Sequence, residues 1–471
     1  RTAGLCGGRA TGWCGGERVA GMVRGVAGLS VAAGLALGAS LGTAQPVQAD
    51  ELLRHSGGRR LAPHLQPTPL LPSYWLSSIA DGNVFMKLEL LNLTSSFKIR
   101  GALNAALRLA ESGEAGASPL LVTASAGNHA QGVALAAQGL GIPAVVVMPS
   151  GAPITKVQAT RWYGAQVILA GQGYDEAYQK ALEVHRESGA AFLHAFDDPA
   201  VIAVQGTIGL EILDQAPLDL ETVIVPIGGG GLISGIATAI KSLRPKVRVI
   251  GVQASAAPSM YRAFTGEDRG TEAPVRTIAD GIAVKRPGTL TSEIIKTLVD
   301  DIVLVDEEEI AGSILLLLER AKLMVEGAGA VSLAAALGGR VPGTGPAAVV
   351  VSGGNIDVNI LSRIIERGMV RAGRYVRLGT MVPDRPGELQ KLLSLVAQTG
   401  ANVISVHHER WLSQIAVGEV EVDLALETRD TDHARELVEA LNHEGYRVVP
   451  ALIQGWTEGV GQKYSWAGPV D

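Results

Sequence analysis

From about residue 118 onward, short β-branched apolar runs alternate with longer amphipathic stretches. The runs at 120–124, 144–148, 166–170, 222–226, 247–253 and 347–352 have the make-up of strands. Between them, 129–140, 174–188 and 232–243 repeat apolar residues at helical spacing. Strands apolar on both faces and separated by helices predict an α/β fold, a parallel sheet covered on both sides. In such sheets a ligand sits at the carboxyl ends of the strands. The chemistry is therefore sought in the residues that follow each strand.

The pattern changes at Arg371-Ala372-Gly373-Arg374, a short polar connector. Beyond it the periodicities predict strand 375–382, helix 387–399, strands 402–409 and 415–426, helix 431–443 and strand 447–449. A βαββαβ order makes a four-stranded sheet with two helices on one face. The expected organisation is an extension at 1–48, an α/β unit at 49–370, this small unit at 371–452 and a Gly-rich tail at 453–471. A chain of 471 residues exceeds one compact core, which agrees with such a division.

Within the extension, the small-residue apolar run at 26–41 follows Met22-Val23-Arg24, and Val47-Gln48-Ala49 suits a signal peptidase. Stretches such as Cys6-Gly7-Gly8-Arg9 have no periodicity, so the segment is read as an upstream extension of a cytoplasmic protein. No later apolar run reaches the roughly 18 residues of a membrane span.

Composition removes several functions. The net charge of −6 and the 4% aromatic content supply neither a basic groove nor a stacking platform for nucleic acid. Cys6 and Cys14 are the two cysteines, which leaves positions 15–471 without a thiol for a disulfide, a zinc cluster or a nucleophile. The nine histidines form no HExxH pair, and no metal site is expected.

Four motifs remain. The first, Ser95-Ser96-Phe97-Lys98-Ile99-Arg100-Gly101-Ala102, opens a helix. The helix dipole and partial burial there would lower the pKa of Lys98, as a Schiff-base or general-base lysine requires. A solvated lysine on an amphipathic helix is the other reading. The second, Thr123-Ala124-Ser125-Ala126-Gly127-Asn128-His129, follows a strand. Its small residues and helix-opening N–H groups suit a carboxylate, and Asn128 can donate to a phenolic oxygen. An ordinary capped turn fits as well, and a lone His129 is more often a structural hydrogen-bonder.

In the third motif, Gly228-Gly229-Gly230-Gly231-Leu232 joins a strand to a helix and exposes a row of N–H groups to one phosphate. The dinucleotide spacing fails, because the third glycine position is Ile233 counted from Gly228 and Ser234 counted from Gly229. No acidic residue ends the next strand, so a phosphomonoester fits better than a nucleotide. The fourth, Val351-Ser352-Gly353-Gly354-Asn355, ends the last strand of the large unit with a neutral hydroxyl at Ser352, either a ligand contact or a cap.

In this order the four motifs resemble the fold-type II pyridoxal-phosphate enzymes, and within them the threonine ammonia-lyase (threonine dehydratase) and serine racemase group. The likeness runs from about Thr68 to Arg367. It implies a two-lobed, tryptophan synthase beta-like domain with pyridoxal 5'-phosphate as cofactor. Lys98 would form the Schiff base, Phe97 would lie beside the ring and Asn128 would contact its hydroxyl. Gly228, Gly229, Gly230, Gly231 and Leu232 would bind the phosphate, and Ser352 would face the ring nitrogen. Ser125, Gly127, Asn128 and His129 would hold the carboxylate of an amino-acid substrate. The implied reaction removes the α-proton and then the β-hydroxyl, so that L-threonine yields 2-oxobutanoate and ammonia. Serine or hydroxyaspartate is the alternative substrate, and a non-catalytic amino-acid sensor is the rival from another class.

Two departures stand out. Serine racemases carry a second serine where this chain has Ala126, which disfavours racemisation. Gln253, Ala257 and Ser259 occupy positions where racemase-type members hold a divalent metal, so such a site is doubtful here. The tail unit resembles a ferredoxin-like ACT domain through Val382-Pro383-Asp384-Arg385-Pro386-Gly387-Glu388-Leu389 and Asn402-Val403-Ile404. That likeness implies an amino-acid effector such as isoleucine in a homodimer or homotetramer, or else a dimerisation module without a ligand.

Overall fold

The computed structural model describes residues 58–80, 82–112, 120–267, 276–341, 343, 345–410 and 417–450. The expected extension with its signal-like run and both cysteines, the first residues of the 415–426 strand, and the tail lie outside the described residues.

Among the described residues ten strands precede the connector: β1 (Leu70–Pro72), β2 (Val84–Leu88), β3 (Leu121–Ala124), β4 (Ala144–Met148), β5 (Gln166–Leu169), β6 (Ala191–Phe192), β7 (Thr222–Pro226), β8 (Arg248–Ala254), β9 (Asp301–Val305) and β10 (Ala347–Val351). They part into two sheets, ordered β1-β2-β10-β7-β8-β9 and β5-β4-β3-β6. The four-stranded sheet is parallel throughout. The six-stranded one is parallel except at its edge, where β1 runs against β2. The apolar pattern predicts parallel strands without saying which of them pair. The division into two lobes follows from the resemblance rather than from periodicity.

Both sheets are covered on both faces, because successive side chains along a strand point to opposite sides. Val349 and Val351 of β10 enter one hydrophobic cluster, and Ala348 and Val350 enter another. In the smaller lobe Val146 and Met148 of β4 face one core while Val145 and Val147 face the other. The edge strand β5 is only half-buried, although its run is as apolar as the rest. Strands β1, β2, β6 and β9 are absent from the periodicity reading. Two of them are only two or three residues long, and β2 is broken by Lys87, whose side chain is nonetheless fully buried.

After the connector come β11 (Tyr375–Pro383), the Glu388–Gln398 helix, β12 (Asn402–Glu409), β13 (Glu419–Glu427), the Thr431–His443 helix and β14 (Val449–Pro450). The sheet order is β12-β13-β11-β14, antiparallel at every pairing. This is the βαββαβ ferredoxin-like arrangement that an ACT-like domain requires. Its helices pack on each other, and Leu392, Val396, Leu437 and Leu441 join Leu378, Val422 and Leu424 in a separate core. No described helix is long and apolar enough to cross a membrane.

Candidate active site

The four motifs meet because the chain ties them together locally. Ser95 takes a left-handed φ of 52°, which turns the chain back toward the end of β10. Ser96 then bridges Gly353, Phe97 N–H donates to the Ser352 carbonyl at 3.1 Å, and Gly354 N–H donates to the Ser95 carbonyl at 2.9 Å. The helix Lys98–Ser112 starts from this clasp. Gly132 lets the Asn128–Leu140 helix lie against it, since a Cβ there would meet the Lys98 backbone at 3.3 Å.

Lys98 is the first residue of its helix and reaches into a crevice of about 780 Å³. Its Nζ donates to the Ala195 carbonyl at 3.0 Å and lies 5.1 Å from the centre of the Phe97 ring. Burial pulls the amine down to about 8, and the Glu326 carboxylate opposes that shift. The surface-lysine reading therefore fails, and the amine is partly unprotonated near neutral pH.

The glycine run lines the same crevice. Gly230 has φ 97°, a left-handed turn just ahead of the Gly231–Leu243 helix. A Cβ on Gly229 would fall 2.4 Å from the Phe196 ring, and one on Gly231 would fall 2.8 Å from the Phe196 carbonyl. The loop is anchored from outside, with the Thr291 hydroxyl donating to the Gly229 carbonyl at 2.7 Å. The Gln253 amide donates to the Ile227 carbonyl at 3.3 Å, and its oxygen accepts from the Tyr261 N–H at 2.8 Å. Gln253 thus spends its polar atoms on the protein. Among the described residues no group of three or more His, Cys, Asp or Glu side chains is placed to hold a metal ion.

Asn128 is held from two sides. Its Nδ2 donates to Glu326 Oε1 at 2.6 Å, and its Oδ1 accepts from Asn355 Nδ2 at 2.9 Å. Ser125 Oγ accepts the Gly127 N–H at 3.2 Å and shapes the turn before the helix. His129 is buried, with Nε2 at 3.3 Å from the Leu193 carbonyl, and burial followed by the nearby Lys98 pushes it down to about 3. Its ring is a neutral hydrogen-bonder, so any contact with a carboxylate falls to its backbone. Ser352 Oγ donates to the Ala328 carbonyl at 3.3 Å.

Every residue singled out in the four motifs lines this one crevice, Leu232 included. Sequence reading missed Glu326, Lys156 and Asp280, which line it too, and Asn355, which it quoted without a role. Burial pushes the Glu326 carboxyl up to about 7, and Asp280 adds to the shift. Lys156 Nζ meets Asp280 Oδ2 at 2.5 Å at the lining of the crevice. One signal for Glu326 was legible: it is the single acid in the small-residue run Val325-Glu326-Gly327-Ala328-Gly329-Ala330. A buried amine, a cradle that admits no side chain, an amide and a neutral hydroxyl facing one cavity fit a phosphorylated aromatic aldehyde.

The family description that matches residues 61–353 is pyridoxal-phosphate dependent enzyme, and the chain belongs to that family. It is 52% identical over 384 residues to the L-threonine ammonia-lyase of Thermotoga maritima, covering 81% of this chain and 94% of that one. Among solved structures it is similar to the T.th. threonine deaminase, at 42% identity and a TM-score of 0.61, over 65% of this chain and 98% of the other. It is also similar to maize serine racemase, at 33% identity and a TM-score of 0.62, over 68% and 98%.

Proposed function

We propose that this chain is an L-threonine ammonia-lyase that converts L-threonine to 2-oxobutanoate and ammonia. The observation that carries the reading is the buried Lys98 amine facing the glycine cradle, in a chain half identical to an enzyme of that name. Pyridoxal phosphate, when bound, supplies the electron sink for the reaction. Lys98 would hold it and, once freed, would take the α-proton on Nζ. Gly228 to Gly231 would hold the phosphate, and Asn128, fixed by Glu326 and Asn355, would present its amide to the ring oxygen. The turn at Ser125 to His129 would orient the substrate carboxylate with backbone N–H groups. Ser352 offers a hydroxyl rather than a carboxylate, which favours prompt loss of the β-hydroxyl over a long-lived carbanion. Ala126 has no hydroxyl for returning a proton, which is why elimination is proposed rather than racemisation.

The same reading assigns residues 49–370 to catalysis and 371–452 to an ACT regulatory domain that binds a branched-chain amino acid such as isoleucine. The turn at Gly387, φ 94°, before the Glu388–Gln398 helix supports it, as does the Arg410–Asp384 pair at 3.0 Å beside that turn. A cytoplasmic homodimer or homotetramer completes the reading.

The test is 2-oxo acid release by purified protein with pyridoxal phosphate and, separately, L-threonine, L-serine and D-serine. Release is expected from L-threonine fastest and is lost in Lys98→Ala. A cofactor-loaded protein that turns over L-serine but not L-threonine would refute the substrate.

A further inference from the structure

Arg100 follows Lys98 by two residues and is 2% exposed, yet it does not line the crevice. Its guanidinium makes five hydrogen bonds. Nε and Nη2 donate to Glu89 at 2.9 and 2.8 Å, Nη1 and Nη2 donate to Glu211 at 2.5 and 2.9 Å, and Nη1 donates to Thr207 Oγ1 at 3.1 Å. Glu89 directly follows β2 of the large lobe, and Glu211 and Thr207 belong to the Pro199–Gln215 helix. Lys87, in the large sheet, donates to Glu211 at 2.6 Å and to the Thr68 carbonyl at 2.6 Å. Thr68 Oγ1 donates in turn to Glu89 at 2.5 Å. Two basic and two acidic side chains thus form one charge-balanced network, buried except at the half-buried Glu211.

Such a network is a weak source of stability, because desolvation offsets most of the attraction and apolar residues of similar volume often do as well. What it supplies is direction. Successive residues of a helix are about 100° apart, so Lys98 and Arg100 point to nearly opposite sides. Ile99, between them, packs in the small-lobe core. The planar fork of Arg100 accepts its two carboxylates in one orientation, which sets the rotation of the Lys98 helix about its axis. Gly101 completes the seat, since a Cβ there would lie 2.8 Å from the Gln205 amide. We infer that Arg100 is a positioning residue for Lys98, pinning the start of its helix between the two lobes so that Nζ is aimed at the cofactor site.

The inference rests on Lys98 as the attachment point, so borohydride trapping and peptide mapping of the wild type come first. A label elsewhere than Lys98 would overturn both readings. With the label on Lys98, two full-length variants are compared: Arg100→Lys, and the charge-balanced Arg100→Met/Glu89→Gln, which leaves the Lys87–Glu211 pair intact. Both are expected to fold. Pyridoxal phosphate should bind about tenfold or more weakly, and the circular dichroism of its absorption band should fall. At saturating cofactor kcat should drop about 10- to 100-fold while KM for L-threonine stays within about threefold. Wild-type cofactor affinity and dichroism in a folded variant would sink the positioning role alone. Failure of both variants to fold would overturn it in favour of a structural one.

Discussion

Asn128 donates from Nδ2 to Oε1 of Glu326 at 2.6 Å, a contact between residues 198 positions apart. It couples the turn after β3 to a carboxyl that is 3% exposed and shares the crevice with Lys98. Burial first, and Asp280 second, hold that carboxyl near 7, against the pull of Lys156, Asn128 and Lys98. A group that titrates near neutral pH beside the amine affects stability and reactivity separately.

The stability effect has a definite sign. The folded carboxyl titrates at about 7 and an ordinary one at 4.5, so between these values the folded state binds more protons. Its contribution therefore falls as pH rises from about 4.5 to about 7 and stays low above that. Glu326→Gln removes the titration and keeps an oxygen for Asn128. Denaturant unfolding of the cofactor-free protein should find the variant more stable at pH 8, by up to roughly 3 kcal/mol, with the gap closing toward pH 4.5. A gap that does not change with pH would contradict the raised pKa.

The reactivity effect runs through Lys98. Its amine is lowered from 10.5 to about 8 by burial, and Glu326 raises it against that trend. Neutralising Glu326 should lower it further and leave more free amine near pH 7. The rate of pyridoxal phosphate capture, followed by absorbance against pH, should then have its inflection at lower pH in Glu326→Gln than in the wild type. An inflection moved upward would mean that Glu326 does not act on the amine by charge.

The glycine loop makes a steric prediction. Gly229→Ala forces a Cβ to 2.4 Å from the Phe196 ring, and Gly230→Ala adds a Cβ at φ 97° and 2.8 Å from Thr291. Each should cost about 1–3 kcal/mol of stability through overpacking or strain and weaken cofactor binding at least about tenfold. Gly139→Ala, in the Asn128–Leu140 helix with nothing within 4 Å of the new Cβ, should instead stabilise the protein by up to about 1 kcal/mol. Thermal unfolding and cofactor titration of the three variants separate the cradle from a general intolerance of alanine.

Much of this was legible in the chain. β4 and β7 keep their expected bounds because they are buried on both faces and their runs are almost wholly apolar. β2 was missed because Lys87 breaks its pattern, and its partners Glu211 and the Thr68 carbonyl, both distant in the chain, explain how a lysine is buried there. The crevice motifs could be found because each follows a strand or opens a helix. Lys156 and Asp280 could not, and Glu326 showed only as a lone acid among small residues, since their roles arise from partners such as Asn128 that sequence spacing does not reveal. The two lobes were implied by the resemblance, but which strands pair within each sheet stayed hidden, because an apolar strand carries no mark of its neighbour.

The C-terminal unit should be separable. Its hydrophobic cluster shares no residue with those of the two lobes. Where it joins them, Arg374 pairs with Glu319 at 2.9 Å and Arg371 with Glu308 at 3.0 Å, all four side chains 39–43% exposed. Exposed pairs of this kind hold little, about 1 kcal/mol or less each. Removing residues 371–471 should therefore leave a folded enzyme whose kcat for L-threonine stays within a few-fold of the full chain. If the unit senses an amino acid, isoleucine should alter threonine turnover by the full chain and leave the truncated one untouched. An isoleucine response that survives truncation would move the effector site into the two lobes. A full chain indifferent to isoleucine, valine and leucine would reduce the unit to an assembly module, which the mass of the truncated protein in solution would then expose.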